Sequence, residues 1–327
     1  MIRGGLQSIG RTLQIWEAKR IYIAGHQGLI GSALVRRLEA KGQPILTRTR
    51  DELDLCNRTQ VDAFFNKEKP DTVFLAAGRV GGIIENREYP ADFITENLEL
   101  QLNVLRASHQ AGVKRLIFFG SSCMYPRECP QPMKESQLLS GRPEPTSLAY
   151  AISKLAGLEM CLSYNRQYGE QRFLPVIPNS AYGPHDNFSP ASSHVLSALI
   201  RKMHEAKVKE EKSVVLWGTG DPRREFIHAD DIAAACLLLL EQDVSKVEFP
   251  LNIGVGSDQS IRELAEIIRR VVGYEGKIEW DTSKPDGAPR KLLDSTRFIA
   301  LGWRSRITLE EGLRNTYEWF IKQEGSV

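Results

Sequence analysis

Tyr150 and Lys154 lie four residues apart, a spacing that places both side chains on one face of a helix. An ammonium group beside a phenol favours the phenolate, so we expect Lys154 to lower the pKa of Tyr150 from about 10. Such a tyrosine can donate or accept a proton near neutral pH. The pair alone is a weak signal, because solvated helix faces often carry both residue types. It is, however, the only such pair among the nine tyrosines.

Ser121 stands just after an apolar run, Leu116–Phe119, that we expect to be a strand. In open parallel sheets, ligands bind at the carboxyl ends of the strands. From that edge Ser121 can hydrogen-bond a substrate carbonyl while Tyr150 delivers the proton, and Lys154 can hold the tyrosine and a nicotinamide ribose. The sequence therefore predicts hydride chemistry on a carbonyl, with these three residues as catalytic groups.

Short apolar runs alternate with helical patterns over the first two-thirds of the chain. Strands are expected at 21–24, 44–47, 72–76, 116–119 and 174–177, and helices at 32–40, 59–67 and 91–111. This alternation predicts an α/β fold with a Rossmann-like doubly wound parallel sheet, covered on both faces. After about residue 180, clusters of Pro and Gly indicate a smaller C-terminal α/β substrate lobe.

The same patterns divide the chain of 327 residues. Residues 1–18 precede the first strand and are expected to be an N-terminal extension: an added helix, a transit peptide or the product of an upstream start codon. We expect an NADP-binding Rossmann domain over 19–179, with a return segment near 226–255. The substrate-binding lobe is then formed by 180–225 and 256–327.

Composition excludes several classes of protein. The net charge is only +2, so no broad nucleic-acid surface is expected, and no apolar run approaches the length of a membrane span. Five scattered cysteines show no Cys-x-x-Cys spacing, so we expect no metal site and a reducing, cytoplasmic setting.

The first strand runs into a Gly-x-x-Gly-x-x-Gly loop. In such loops the first glycine permits a tight turn, the second lets the backbone approach a pyrophosphate, and the third lets helix and strand pack closely. The following helix N-terminus binds the anion. The expected cofactor contacts at the strand ends are Gly25, Gly28, Leu29, Ile30, Gly31, Ala76 and Ala77.

Arginine follows the second strand, where an NAD enzyme usually carries an acidic residue for the ribose hydroxyls. Arg50, with Arg48 beside it, suits a 2′-phosphate instead, which predicts NADP(H) as the cofactor. Asp54 lies just beyond, where an adenine contact is plausible. The alternative for Arg50 is an ordinary surface arginine.

In this order, the glycine loop, Ser121 and the Tyr150/Lys154 pair resemble the extended short-chain dehydrogenase/reductase superfamily, over residues 19 to about 320. Longer strings narrow the resemblance to the GDP-L-fucose synthase family. They lie at 76–83, 120–126, 164–169, 182–188, 193–195, 217–220, 223–228 and 284–291.

The resemblance implies NADPH-dependent 3,5-epimerisation and 4-reduction of GDP-4-keto-6-deoxymannose to GDP-L-fucose. Protons at C3 and C5 flank the C4 ketone, so removing either gives an enolate, and inversion needs a base and an acid on opposite faces. Cys123 matches the family's epimerising cysteine and His194 its histidine, and both residue types can titrate near neutrality. Ser121 and Tyr150 would stabilise the enolate oxygen.

The resemblance also implies a GDP-sugar substrate and a partner chain. Arg224 matches a pyrophosphate-binding arginine, and its planar fork suits phosphate. A homodimer is expected through a four-helix bundle, where Leu158, Cys161 and Leu162 could face the partner or, equally, the sheet. The expected substrate contacts are Asn179, Ser180, Val195, Leu199, Trp217, Arg224, Arg290 and Lys291.

The chain departs from the family's pattern in two places. Gln27 stands where the family has an arginine in the glycine loop, so the 2′-phosphate contact rests mainly on Arg50. Asn179 and Ser180 stand where the family reads Thr-Asn, which alters the polar groups near the sugar or its phosphates. A related GDP-sugar 4-reductase or epimerase acting on a different 4-keto sugar therefore stays open. A non-catalytic dinucleotide sensor is a remote alternative.

Overall fold

The computed structural model describes residues 20–190, 192–284 and 286–324. The predicted N-terminal extension, residues 1–18, lies outside the described residues. The first part of the chain contains β1 (Ile21–Ala24), α1 (Leu29–Ala40), β2 (Ile45–Leu46), α2 (Arg58–Glu68), β3 (Thr72–Leu75), α3 (Ile83–Glu88), α4 (Pro90–Gln110), β4 (Arg115–Phe119), α5 (Leu148–Tyr168) and β5 (Phe173–Pro178). The second part contains β6 (Ser180–Tyr182), α6 (Val195–Val208), β7 (Ser213–Trp217), β8 (Arg223–Arg224), β9 (Phe226–His228), α7 (Ala229–Leu240), β10 (Leu251–Ile253), β11 (Gln259–Ser260), α8 (Ile261–Val272), β12 (Lys277–Asp281), β13 (Arg290–Lys291), α9 (Thr296–Ala300) and α10 (Leu309–Glu324).

Six strands form one parallel sheet in the order β10-β5-β4-β3-β1-β2. The chain moves to one side of β1 for β2 and to the other side for β3, β4 and β5, which creates a switch point between β1 and β3. The predicted doubly wound α/β fold is confirmed. A ligand is expected at the carboxyl edge beside that switch point.

Both faces of this sheet are buried because successive strand residues point in opposite directions. In β1, Ile21 and Ile23 pack in a cluster with residues of α1 and α7. Tyr22 and Ala24 belong to the opposite cluster, with residues of α2, α4 and α5. Within α5, the buried side chain of Cys161 lies in that second cluster, so it faces the sheet.

Leu158 also faces the sheet, since it is buried in the cluster beneath α5. Leu162 is partly buried and packs against both clusters. Of the two orientations open from the sequence, the sheet-facing one is observed for these positions. The exposed apolar residues of α4 and α5 are others, among them Leu102 and Ile152.

The remaining elements form a smaller lobe with a core of its own, built from α6, α8 and α10 with residues of β7 and β9. Its strands pair as a three-stranded sheet, β11-β8-β13, and as two pairs, β12-β7 and β6-β9. No helix in the described part of the chain is both long and apolar enough to cross a membrane.

Candidate active site

The carboxyl end of β4 presents Ser121 and Cys123 within one turn of backbone. Gly120 follows the strand, and an added methyl group there would lie 2.6 Å from Met124 Cε, so the turn is tight. A 3₁₀ helix, Ser122–Met124, begins at once, and Cys123 N donates to Ser121 Oγ (3.2 Å). Both predicted side chains therefore lie at the sheet edge where ligands bind.

Helix α5 brings Tyr150 and Lys154 to the same edge, on the shared face that their spacing predicts. Lys154 Nζ donates to Phe119 O (3.1 Å) and lies 6.0 Å from the Tyr150 ring centroid. The helix approaches the sheet closely because Gly157 has no side chain, and an added methyl group would lie 2.6 Å from Phe118 Cζ. Serine, tyrosine and lysine thus meet as the sequence predicts.

The environment sets the protonation states of this pair. Burial, and then the charge of the neighbouring Cys123, raise the pKa of Tyr150, while a hydrogen bond with Ser121 lowers it by less. Burial lowers the pKa of Lys154 to about 8. The expectation that Lys154 depresses the Tyr150 pKa is wrong for this structure, because desolvation of the phenolate dominates. Tyr150 is therefore a protonated phenol at neutral pH and can act as a proton donor.

Cys123 lies against a lysine from the small lobe. Lys291 Nζ donates to Cys123 Sγ over 3.5 Å. Burial alone would raise the pKa of the thiol, but the Lys291 ammonium and hydrogen bonds with Ser121 and Ser147 bring that pKa below its usual value. The sequence predicts Lys291 as a substrate contact and carries no local signal for its contact with Cys123, because the two residues are 168 positions apart.

Alternation along two short strands decides which cations face the site. Strand β13 pairs with β8 so that Arg290 is beside Arg223 and Lys291 is beside Arg224. Arg223 and Arg290 both bind the carboxylate of Asp258, with Arg223 Nε 2.8 Å from Oδ1.

Because neighbouring strand residues point to opposite faces, Arg224 and Lys291 share the other face, towards Cys123. Burial lowers the pKa of Arg224, and the charge of Cys123 makes the largest opposing contribution. Arg290, predicted to contact substrate, is instead held by Asp258 on the face away from Cys123.

The glycine loop fits a dinucleotide pyrophosphate. Gly25 has φ +82°, and an added methyl group would lie 2.6 Å from Ala77 N, which brings the turn against the end of β3. At Gly31 the added group would lie 2.7 Å from the carbonyl carbon of Gly25. The helix ladder begins with Ser32 N donating to Gly28 O (2.8 Å). The N–H groups of the first helical turn, Leu29 to Gly31, therefore point to the space where an anion would bind.

The two arginines after β2 differ in their surroundings. Arg48 Nη2 is paired with Glu68 (3.0 Å), and its guanidinium lies over the Phe64 ring. Arg50 has a side chain 74% exposed, with Nη2 3.6 Å from Glu96 Oε2. Arg50 is thus the freer of the two to meet a phosphate.

Of the two other predicted cofactor positions, Ala76 lies beside the glycine loop, since a methyl group added at Gly25 would lie 2.9 Å from its carbonyl carbon. Ala76 N donates to Ala24 O (3.0 Å), so the end of β3 is fixed against β1. Asp54 Oδ1 accepts from Cys56 N (3.0 Å), which holds its carboxylate in a turn, and its adenine contact stays a prediction.

His194 lies on a segment that crosses to the loop after β3. Gly82 N donates to Ser192 O (3.0 Å), and an added methyl group at Gly82 would lie 3.1 Å from Ser193 O. His194 is exposed at the start of α6, and its charge acts on the buried carboxylate of Asp186, whose pKa burial raises. Val195 is also exposed, whereas Leu199 is buried in the core of the small lobe.

Asn179, predicted to contact the sugar, is buried in a polar network around Glu225. Asn179 Nδ2 donates to Glu225 Oε2 (2.5 Å). The same carboxylate accepts from Gly256 N (2.7 Å) and Leu293 N (3.0 Å). This network joins the end of β5 to the strands that carry Arg224 and Lys291. Sequence reasoning gave Glu225 no role, although it lies inside one of the matched strings.

The last two predicted substrate contacts differ in their exposure. Ser180 is partly buried, and its N–H donates to Asn179 Oδ1 (3.0 Å). Trp217 ends β7 with 59% of its surface exposed, and Lys284 Nζ lies 5.6 Å from the ring centroid. An exposed indole beside a cation is a surface on which a base can stack.

Known proteins are similar to this chain in both sequence and fold. The NAD dependent epimerase/dehydratase family model matches residues 21–254. GDP-L-fucose synthase of Escherichia coli strain K12 is 49% identical over 314 residues, which cover 94% of this chain and 98% of that protein. GDP-L-fucose synthase 1 of Arabidopsis thaliana is 50% identical over 307 residues, 94% of each chain. A GDP-mannoheptose C4 reductase from Campylobacter jejuni, solved with NADP bound, is 40% identical with a TM-score of 0.85 and covers 93% of this chain and 98% of its own.

Proposed function

Because this chain belongs to the NAD dependent epimerase/dehydratase family and, within it, to the GDP-L-fucose synthases, we propose that it converts GDP-4-keto-6-deoxy-D-mannose to GDP-L-fucose with NADPH. The reaction comprises inversions at C3 and C5 and reduction at C4. One observation carries the proposal: Ser121, Tyr150 and Lys154 meet at the carboxyl end of β4 with Cys123, whose sulfur contacts Lys291. A dehydrogenase without an epimerising step would not need this cysteine and its cation.

In the epimerisation, Cys123 removes the proton from the carbon next to the ketone. The electron pair of the C–H bond moves into an enolate, whose oxygen accepts hydrogen bonds from Ser121 and Tyr150. His194 supplies a proton from the opposite face and so inverts the carbon. A thiol of lowered pKa suits the base, and an exposed imidazole suits an acid that must exchange protons with water.

In the reduction, Tyr150 gives its proton to O4. NADPH, when bound, supplies the hydride. Tyr150 suits this role because its raised pKa keeps the phenol protonated until charge develops on the substrate oxygen. Lys154 holds the ribose and supplies positive charge near the phenol, and Ser121 orients the carbonyl.

The small lobe would hold the GDP moiety. Arg224 is half-buried on the face of β8 that looks towards Cys123, and its fork suits the pyrophosphate. Trp217 is exposed at the end of β7 and offers its ring to the guanine. We extend the proposal to the division into a cofactor domain, 19–179 with 226–255, and a substrate lobe, 180–225 with 256–327.

The test is direct. Purified protein is incubated with NADPH and GDP-4-keto-6-deoxy-D-mannose in deuterium oxide, and the product is examined by NMR. We expect GDP-fucose with deuterium at C3 and C5. Tyr150→Phe should bind NADPH as the wild type does and lose reduction, and Cys123→Ser should lose deuterium incorporation. Absence of GDP-fucose from the wild-type reaction would refute the proposal.

A second candidate is a GDP-sugar 4-reductase or epimerase acting on a different 4-keto sugar. Ser180 favours it, because a shorter side chain than the family's asparagine lies at this position, and so does the likeness to the heptose reductase. Parallel assays with the GDP-4-keto-deoxymannose and a GDP-4-keto-heptose distinguish the two. A higher kcat/KM for the heptose would favour this second reading.

We further propose a cytoplasmic homodimer that uses α4 and α5 in a four-helix bundle. Leu102 on α4 is 49% exposed and Ile152 on α5 is 41% exposed, so both helices offer apolar surface. Light scattering should give twice the mass of one chain for the wild type and a monomer mass for the Leu102→Arg/Ile152→Arg variant. A wild-type protein that is monomeric throughout would exclude the dimer.

A further inference from the structure

We propose that Lys291 acts through Cys123: its ammonium group holds the sulfur as a thiolate, and so makes Cys123 the base that starts each inversion. The contact of 3.5 Å between Nζ and Sγ carries this assignment. That the thiolate removes a proton from a sugar rests on the proposed function. The formation of the thiolate does not, because it requires neither sugar nor cofactor.

Hydrogen bonds hold the backbone from which the Lys291 side chain extends. Lys291 O accepts from Glu225 N (3.2 Å) and from Asn179 Nδ2 (3.4 Å). Strand pairing to β8 fixes which way the side chain points, because Arg290 turns to Asp258 on the opposite face. A lysine held in this way serves as a fixed charge for the sulfur.

The other groups that face Cys123 favour a negative sulfur. Arg224 adds a second cation on the same face of this small sheet, and Tyr150 contributes a neutral phenol because burial, and then the charge of Cys123, oppose its ionisation. Hydrogen bonds with Ser121 and Ser147 lower the pKa of the Cys123 thiol further. The carboxylates near this set, those of Glu144 and Asp286, act on Arg224.

An opposite charge within about 4–6 Å typically lowers a pKa by 1–3 units. The Lys291 ammonium lies inside that range, so it opposes the burial of the sulfur, together with the hydrogen bonds with Ser121 and Ser147. Consistently, the Cys123 pKa lies below its usual value despite the burial that opposes it.

The chemical step balances without a further reactant. The thiolate forms an S–H bond as the C–H bond next to the ketone breaks, and the electron pair becomes the enolate. His194, as the imidazolium, then gives its proton to the opposite face and so forms the new C–H bond. Before the second inversion Cys123 loses its S–H proton to water and His194 takes one up from water, so that base and acid both return to their starting forms. Lys291 takes no part in the proton transfer and changes only the fraction of Cys123 that is present as thiolate.

The pair also joins the two parts of the molecule, since Cys123 follows β4 of the large sheet and Lys291 lies on β13 of the small lobe. The base therefore combines a residue from each part of the molecule, beside the sheet edge where ligands bind.

The experiment measures the thiol directly. The rate of iodoacetamide labelling at the peptide containing Cys123 is followed by mass spectrometry across pH, with no sugar or cofactor, for wild type, Lys291→Met and Lys291→Arg. Since the thiolate is the reacting form, the rate rises through the pKa. We expect Lys291→Met to move the midpoint up by at least about one pH unit, and to lower the rate at neutral pH about tenfold or more. Lys291→Arg keeps the positive charge, so its midpoint should lie close to that of the wild type.

Arg290→Met is the matched control, because it removes an equal charge from the adjacent residue on the opposite face of β13. It should leave the Cys123 midpoint unchanged. Should Lys291→Met fail to fold, Lys291→Gln, which keeps a donor but no charge, takes its place with the same expectation. An unchanged midpoint in the neutral variant, or an equal shift in Arg290→Met, would overturn the proposal.

Kinetic measurements distinguish the effect of Lys291 on Cys123 from a simple contact between Lys291 and the substrate. With a GDP-sugar turned over by the enzyme, Lys291→Met should lower kcat for deuterium incorporation and shift the acidic limb of its pH profile upward. A contact with the substrate phosphates alone would raise KM and leave the thiol midpoint where it is. If no sugar is turned over yet the midpoint shifts, the proposed function fails and the role of Lys291 stands.

Discussion

Replacing Gly31 by alanine tests how the nucleotide loop is built. The added methyl group would lie 2.7 Å from the carbonyl carbon of Gly25 and 2.9 Å from His26 Cα, with Gly25 O closer still. All three are backbone atoms that cannot rotate away. The start of α1 must therefore move by about 0.7 Å or more to reach the 3.4 Å at which ordinary contact begins.

The magnitude follows from the groups that move. Overpacking of this kind costs about 1–3 kcal/mol of folding free energy. The displaced N–H groups of Leu29 and Ile30 are those that would donate to the pyrophosphate, and a hydrogen bond to a charged group contributes about 1.5–3 kcal/mol. Loss of one such bond should weaken NADPH binding roughly 10- to 150-fold.

The assay is fluorescence titration of NADPH into the purified variant, together with its melting temperature. Gly42→Ala is a matched control, because Gly42 lies just past the end of the same helix with φ +66° and open space around it. It should lower stability by about 1 kcal/mol through backbone strain and leave the NADPH affinity unchanged. Unchanged NADPH affinity in Gly31→Ala, or an equal loss in Gly42→Ala, would refute the reasoning.

Three further outcomes are expected. Glu225→Gln puts an amide donor among the backbone N–H groups of the buried network, so it should lower the free energy of unfolding by about 2–4 kcal/mol. A melting temperature within about 1 °C of wild type would contradict this. Gly157→Ala should cost about 1–3 kcal/mol in chemical denaturation, because its methyl group meets Gln101 Oε1 and the Phe118 ring; an unchanged midpoint would be inconsistent with that packing. Burial holds the pKa of Lys154 at about 8, so the ammonium charge is present below that pH and is lost above it. As the pH rises, kcat/KM for NADPH should therefore fall with a midpoint near 8. A flat profile between about pH 7 and 9 would exclude this assignment.

Much of the fold could be predicted from the sequence because its signals are local. Apolar strands alternating with helices indicated the parallel sheet, and the spacing of Gly25, Gly28 and Gly31 indicated the nucleotide loop. The helical spacing of Tyr150 and Lys154 likewise placed both side chains at one edge with Ser121. The glycine spacing and the Tyr150/Lys154 spacing depend on the geometry of one turn and one helix, and the meeting with Ser121 follows because ligands bind at the carboxyl edge of a parallel sheet.

Residue types and their spacing along the chain set which chemical groups are present and which neighbours share a face. The charge of these groups and their partners depend on contacts that form only on folding. Burial makes Tyr150 a protonated phenol where spacing alone predicted a lowered pKa, and Asn179 lies with Glu225 where resemblance suggested the sugar. Lys291 reaches Cys123 because two short strands pair in one register and turn Arg290 the other way. The physical reason is that desolvation and pairing act between residues far apart in the chain, and their strength depends on distances that only the folded protein fixes.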